Sequence, residues 1–245
     1  MWPILFEWNG SLVYSYPFFI GLSWGLGFRL AEAQLPRELP QRYFMWWMVG
    51  LFLFSWVGAK LLFIFTQDRW SMSELASASN FWLGGGFVFL GGLLGGGCFT
   101  LLASRTWSFL SLERMQFVIA PLLWGHALGR VGCFLAGCCF GKESDVPWAI
   151  TMHGHARHPT QLYEALALAV LAYLVQRRCF KSYQTQGYLI SYGIVRWIIE
   201  NFRGDELRGA WGAQSTSQWI ALGMITAGSA WLAVQIREKT HRPAK

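Results

Sequence analysis

The sequence predicts an all-helical integral membrane protein with seven transmembrane helices, its N-terminus periplasmic and its C-terminus cytoplasmic. Three observations carry that prediction. The chain of 245 residues is 54% hydrophobic and only 13% charged, about half the charged share of an ordinary globular protein. It holds 15 Trp, 19 Phe and 8 Tyr, an aromatic load that so few charges could not cover on a water-exposed surface. It also divides into seven apolar stretches, each near the roughly 17–25 residues that cross about 30 Å of hydrocarbon. The same composition excludes a disordered chain, a collagen and a disulfide-rich secreted scaffold. Residues 1–245 read as a single transmembrane domain.

In chain order the stretches fall near 12–28, 43–65, 81–103, 115–135, 160–176, 187–202 and 216–236. The third and seventh are the most plainly apolar, while the fourth, fifth and sixth carry polar residues. The first ten residues contain Glu7 and no Lys or Arg, so they lack the basic start of a cleaved signal peptide. Between the fourth and fifth spans lies the longest polar stretch, 136–159, with His153, His155 and His158.

A formal charge of +7 resembles a nucleic-acid footprint until the charges are sorted by position. Of the 20 Lys and Arg, twelve fall in one set of connections, five in the opposite set and three within or at the ends of spans. Cytoplasmic connections carry the basic excess. The tail Arg237-Glu238-Lys239 therefore belongs inside, and 136–159 is an outward-facing polar loop. The basic excess is topological, and no nucleic-acid partner is expected.

Three features depart from a simple anchor. Between Gly84 and Gly97, eight of fourteen residues are glycine, Gly91 and Gly92 among them. Small residues let transmembrane backbones approach closely; a bare backbone facing a lipid substrate is the other reading. Secondly, Arg130 ends the fourth span while Arg196 and Glu200 lie inside the sixth, where a charge costs about 2.5–3.5 kcal/mol even on a lenient scale. Arg196 and Glu200 share a helix face and can pair. Arg130 has no acid at helical spacing in its own span, and two converging arginines suit a phosphate head group. Thirdly, the segment 129–141 combines Arg130, four glycines and Cys133, Cys138 and Cys139. With His126 and His153 these could be metal ligands, but C-x4-C-C fits no standard zinc pattern. An outward pair could also oxidise. Cys98 and Cys179 read as inert packing.

Together these residues resemble the prolipoprotein diacylglyceryl transferases, bacterial membrane enzymes that begin lipoprotein modification. Ser15-Tyr16-Pro17 stands at the family's first-span start. Val57-Gly58-Ala59-Lys60-Leu61 resembles its Gly-Ala-Arg-Leu, and Gly91-Gly92-Leu93-Leu94-Gly95 its Gly-Gly-Leu-Ile-Gly. Ala120-Pro121 through Gly129-Arg130-Val131-Gly132 parallels its signature. Arg157-His158-Pro159-Thr160-Gln161-Leu162-Tyr163-Glu164 is nearly its Arg-His-Pro-Ser-Gln-Leu-Tyr-Glu. Tyr192, Arg196, Glu200 and Arg203 keep its Tyr-x3-Arg-x3-Glu-x2-Arg spacing.

The resemblance implies transfer of diacylglyceryl from phosphatidylglycerol, or a related phospholipid, to the signal-peptide cysteine of prolipoproteins, with glycerol phosphate released. It implies an inner-membrane location and no metal or diffusible cofactor. It assigns the chemistry to Arg130, Arg196 and Glu200, beside which His126 and Cys138 stand as candidates for the proton-handling role of the residues replaced here. It assigns substrate contacts to Tyr16, Gly91, Gly92, Gly129, Gly132, Cys133, Gly141, His158, Gln161, Tyr163, Glu164 and Tyr192. The family signature reads Gly-Arg-x-Gly-Asn-Phe-x-Asn-Gly-Glu. Here Cys133, Ala136 and Cys138 replace its two Asn and its Glu, and Leu90 replaces a histidine before Gly91-Gly92. His126, four residues before Arg130, or a thiol would then handle the acceptor's proton. Two rivals stand beside this reading: a sister transferase with another acceptor, and a non-catalytic lipid-binding or lipid-transport protein.

Overall fold

The computed structural model describes residues 1–9, 11–66, 89–107, 110, 114–180, 182–204, 210–212 and 214–241. Among these, seven α-helices and three two-stranded antiparallel hairpins appear. The order is β1 (Ile4–Trp8), β2 (Ser11–Tyr14), α1 (Ser15–Ala33), α2 (Gln41–Thr66), α3 (Phe89–Thr106), α4 (Ile119–Ala136), β3 (Ile150–Met152), β4 (His155–Arg157), α5 (Thr160–Gln176), α6 (Gln184–Glu200), β5 (Ala210–Trp211), β6 (Gln214–Ser215) and α7 (Thr216–His241). A 3-10 turn, Arg114–Val118, leads into α4.

Each predicted span has a helix at its place, with bounds shifted by a few residues. The start of the third, 81–88 with Gly84, lies outside the described residues. Three helical segments are long and apolar enough to cross a membrane by length and composition: Gln41–Ile64, Arg114–Ala136 and Thr216–Thr240. Helix α5, Thr160–Gln176, is apolar but shorter.

The hairpins are the feature that a search for apolar runs passes over. Asn9-Gly10 separates β1 from β2, and Asn9 has φ +47°. Asn-Gly suits a two-residue hairpin turn, which needs positive φ at its central positions. His153 (φ +52°) and Gly154 (φ +83°) meet the same need between β3 and β4. The polar stretch 136–159 thus contains a hairpin over Ile150–Met152 and His155–Arg157.

The chain groups into two compact units, residues 35–115 and the remainder. In the smaller, α2 and α3 cross on bare backbone. A Cβ built at Gly58 or Gly91 would meet the carbonyl of the other, and one at Gly95 would meet that of Phe54. Gly92 lies against the Ser55 carbonyl, 3.3 Å from where its Cβ would stand. Phe54 stacks on Phe99 at 4.9 Å between centroids, and Trp47 Nε1 donates to Thr100 Oγ1 at 3.3 Å. Packing accounts for Gly91 and Gly92. Lys60, on α2, is fully buried.

In the larger unit, α4 contributes Ile119, Ala120, Leu123 and Ala127 to a core that α5 completes with Leu168, Leu171, Ala172 and Val175. Both sets recur at three- and four-residue intervals, the stripe of a helix face. On another side of α4, Gly125 and Gly129 lie beside Ser23 of α1, and Gly132 beside Phe19. Helix α7 begins in a capping box: Gln218 N–H donates to Ser215 Oγ at 3.2 Å, and Ser215 N–H to Gln218 Oε1 at 3.0 Å.

Gly58→Val should destabilise the α2–α3 pair by about 1–3 kcal/mol through overpacking. Gly97→Ala, where a Cβ meets nothing within 4 Å, should be neutral or slightly stabilising. Thermal unfolding in detergent separates the two.

Candidate active site

The site is built around Glu164, one turn into α5 and only 1% exposed. The carboxylate would be costly in apolar surroundings without positive partners, and α4 and α6 supply them. Arg130 Nη2 donates to Glu164 Oε1 at 2.8 Å. Arg196 Nη1 stands 3.7 Å from Oε2. Tyr192, one turn before Arg196, donates its hydroxyl to Oε1 at 2.8 Å. His126, one turn before Arg130, places Nε2 3.9 Å from the same oxygen and its ring edge-on to Tyr192.

A second carboxylate holds Arg196 from the other side. Glu200 Oε2 lies 2.6 Å from Arg196 Nη2, which also donates to Ser217 Oγ at 2.9 Å. Ser215 Oγ donates to Glu200 Oε1 at 2.7 Å, so the residue that caps α7 also steadies this acid. Arg203 Nε stands 4.0 Å from Glu200 Oε2. The Arg196–Glu200 pairing and the convergence of the two arginines therefore coexist. The acid that Arg130 lacks in its own helix comes from α5.

Three guanidinium groups against two carboxylates leave one positive charge in excess when His126 is neutral. Arg130 Nε and Arg196 Nη1 are buried and without a hydrogen-bond partner among the described residues. Buried donors are almost always paired, and each of these two could still donate to an acceptor oxygen.

Beside this centre, the end of α4 and the start of α5 are stitched together. Gly137 (φ +73°) ends α4: its N–H reaches the Phe134 carbonyl and that of Cys138 the Cys133 carbonyl, the paired bonds of a Schellman cap. Gln161 Nε2 donates to the Cys138 carbonyl at 2.6 Å and Thr160 Oγ1 to the Cys139 carbonyl at 3.0 Å. Gly141 N–H donates to the His158 carbonyl at 3.0 Å. A Cβ at Gly141 would stand 2.5 Å from that carbonyl and 2.8 Å from that of Phe202, so only glycine fits there. His158 Nδ1 lies 3.1 Å from the Tyr163 hydroxyl, which accepts from Trp148 Nε1 at 2.7 Å. An apolar cleft of about 500 Å³ opens here, lined by Trp148, Tyr163, Ala167, Val195, Ile198 and Phe202 with His158 at its edge.

The structure thus gathers Arg130, Glu164, Tyr192, Arg196, Glu200 and His126 at one centre. Cys133, Cys138, Gly141, His158, Gln161 and Tyr163 lie along the adjoining turn. Tyr16 lies within electrostatic reach of Arg130 and of the three thiols of that turn, and its carbonyl is 3.8 Å from where a Gly132 Cβ would stand. Gly129 and Gly132 face α1, and Gly91 and Gly92 belong to the α2–α3 crossing. The metal reading that joined His126 and His153 to the cysteines does not hold: the described group contains the three cysteines alone. His153 Nε2 lies 2.8 Å from the Gly137 carbonyl instead. Cys98 and Cys179, expected in packing, are exposed. Ser215 and Ser217 were missed, although Ser-x-x-Gln ahead of an apolar run is a readable cap.

Fold and site together define a helical membrane protein with a charged centre held among apolar helices. A family model described as prolipoprotein diacylglyceryl transferase matches residues 3–234, and the chain belongs to that family. Curated relatives named phosphatidylglycerol–prolipoprotein diacylglyceryl transferase agree over nearly the whole length. One from Clostridium tetani is 31% identical, covering 93% of this chain and 95% of the relative. One from Idiomarina loihiensis is 30% identical over 98% and 91%. One from Ectopseudomonas mendocina is 33% identical over 92% and 88%.

Glu164→Gln should destabilise the protein by about 3–5 kcal/mol, because it leaves Arg130 and Arg196 buried without their common counter-charge. Denaturant or thermal unfolding of the purified chain checks this. Glu32→Gln, in a pair that is largely exposed on the Arg29 side, should change stability by less than about 1 kcal/mol.

Proposed function

We propose that this chain transfers diacylglyceryl from phosphatidylglycerol to the cysteine thiol of prolipoproteins, releasing glycerol phosphate. The observation that carries the reading is the pair of buried guanidinium nitrogens beside Glu164, Arg130 Nε and Arg196 Nη1, that have no hydrogen-bond partner among the described residues. A phosphate oxygen held by both would complete their hydrogen bonding. Preorganised positive charge in a water-poor site then stabilises the leaving group as negative charge builds on it.

In the step proposed, the acceptor thiol loses its proton and its sulfur attacks the glyceryl carbon next to the donor phosphate. The carbon–oxygen bond breaks, and its electron pair leaves with glycerol phosphate. Glu164 fixes both arginines, Glu200 and Ser217 orient Arg196, and Tyr16 and Tyr192 line the head-group site. His158, Gln161 and Tyr163 frame it, while Gly129, Gly132 and Gly141 let the neighbouring elements close up beside it. The apolar cleft beside Tyr163 supports entry of the donor's acyl chains from the lipid side. His126, nearest the centre among the bases, takes the thiol proton.

The same proposal places seven spans in a bacterial inner membrane, with the N-terminus and the turn 136–159 on the outer face. The basic excess of the opposite connections supports this orientation. The thiols at Cys133 and Cys138, where the family has an amide and an acid, favour a second reading in which the donor is kept and the acceptor differs.

Incubation of labelled phosphatidylglycerol with a lipobox peptide and the purified chain in nanodiscs should give thioether-linked peptide. Arg130→Ala or Arg196→Ala should lower the rate by roughly 10²–10³-fold, the usual effect of losing one charge-stabilising donor. Glycerol phosphate without modified peptide would establish the second reading, and neither product from folded, lipid-binding protein would leave a lipid carrier. His126→Ala should slow thiol transfer by roughly 10²–10⁴-fold with donor binding unchanged; full activity would remove it from the proton step.

A further inference from the structure

Three sulfur atoms meet at the end of α4. The Sγ atoms of Cys133, Cys138 and Cys139 all lie within 4.8 Å of one another. The main chain brings this about. The turn at Gly137 carries the chain back toward Cys133, and Cys139 holds φ +61°, a conformation uncommon for a residue with a Cβ. The Cys138 and Cys139 carbonyls are gripped by Gln161 and Thr160. With the peptide groups committed to α5, the thiols are held together in advance of any ligand.

The set is a donor set without a further protein ligand. No His, Asp or Glu joins it among the described residues, and none of the three cysteines is in a disulfide. Cys133 is buried and the other two half-buried, so the group keeps an accessible side. Sulfurs around an ion at a typical Zn–S distance of about 2.3 Å sit about 4 Å apart, inside the observed limit. Thiolates select soft, d10 ions such as Zn(II) and Cu(I) over harder ones. A divalent ion with three thiolates carries one net negative charge. Arg130 acts electrostatically on Cys133, and Arg203 on Cys139, and these cations offset that charge.

We propose that Cys133, Cys138 and Cys139 form a three-thiolate site for one thiophilic d10 metal ion, with the fourth coordination position left to an external ligand. Binding releases the thiol protons to solvent. Three protein ligands with an open fourth position is the arrangement of metal sites that bind a reactant, in contrast to closed structural sites. The site stands independently of the transfer reaction proposed above.

The test uses the full chain in nanodiscs, reduced, anaerobic and stripped of metal, then titrated with Zn(II) and separately with Cu(I). One ion should bind per chain, and mass spectrometry after alkylation should show Cys133, Cys138 and Cys139 protected while Cys179, past the end of α5, reacts. Cys133→Ser or Cys138→Ser should weaken binding by more than the roughly 10–100-fold of an outer-shell change. The Cys98→Ser/Cys179→Ser double variant should bind like the parent. The tighter arm names the ion. Protection is read on the parent chain, so it stands even if a variant fails to fold. Equal alkylation of Cys133, Cys138 and Cys139 with and without either ion would overturn the proposal. So would a Cys133–Cys138 disulfide in protein whose thiols were blocked at lysis. Neither readout involves transfer, so failure here leaves the transferase reading to its own assay.

Discussion

The larger unit is organised by the cost of placing charge among apolar helices. Glu164 answers that cost for Arg130 and Arg196 at once, and they answer it for Glu164. Each of α4, α5 and α6 brings a group that the low-dielectric surroundings would reject alone. The packing of Leu123, Leu168 and their neighbours brings the three helices together, and the charges fix which faces meet. A slip of one residue in any of the three would strand a charge. Arg130 Nε and Arg196 Nη1 remain without a hydrogen-bond partner among the described residues, because the geometry sends the Arg130 and Tyr192 bonds to Oε1 and holds Arg196 Nη1 3.7 Å from Oε2.

The helices were legible because each falls on an apolar run, three of them long enough to cross a membrane, and α5 begins at the residue expected. The hairpins were not, since strands of two to five residues leave a weak pattern beside runs of about twenty. Asn9-Gly10 and His153-Gly154 were nonetheless readable turn signals. At the site, the Arg196–Glu200 pair could be read from spacing alone. The partner of Arg130 could not, because Glu164 is 34 residues away and only the fold joins them. The cysteines show the limit of spacing most clearly. C-x4-C-C suggests no ligand set in an extended or helical chain, yet a left-handed residue at Gly137 and another at Cys139 fold that spacing into a cluster.

Helix α7 connects to the centre through its first turn. Ser215 accepts from Gln218 N–H and donates to Glu200, while Ser217 accepts from Arg196. A helix N-terminus presents unpaired N–H groups and a partial positive charge, which suits the approach of Glu200. The orientation of Arg196 is thus set from α5, from its own helix and from α7, and its guanidinium has little freedom to reorient. That rigidity is what an anion site needs if the charge is to be in place before the reaction starts.

The grip of Thr160 and Gln161 on the carbonyls of residues 139 and 138 has a consequence for how such a chain diverges. Carbonyls are common to every amino acid, so these two bonds do not depend on the side chains at 138 and 139, while the positive φ at 139 selects against β-branched ones. The family's serine at position 160 offers the same hydroxyl. A lineage can therefore exchange an amide and an acid for thiols one substitution at a time, each intermediate still folding, while Gly137 and Gly141 stay fixed. The frame is inherited and the reactive inventory is replaceable, and descent by small steps can carry one scaffold from oxygen-based to sulfur-based chemistry.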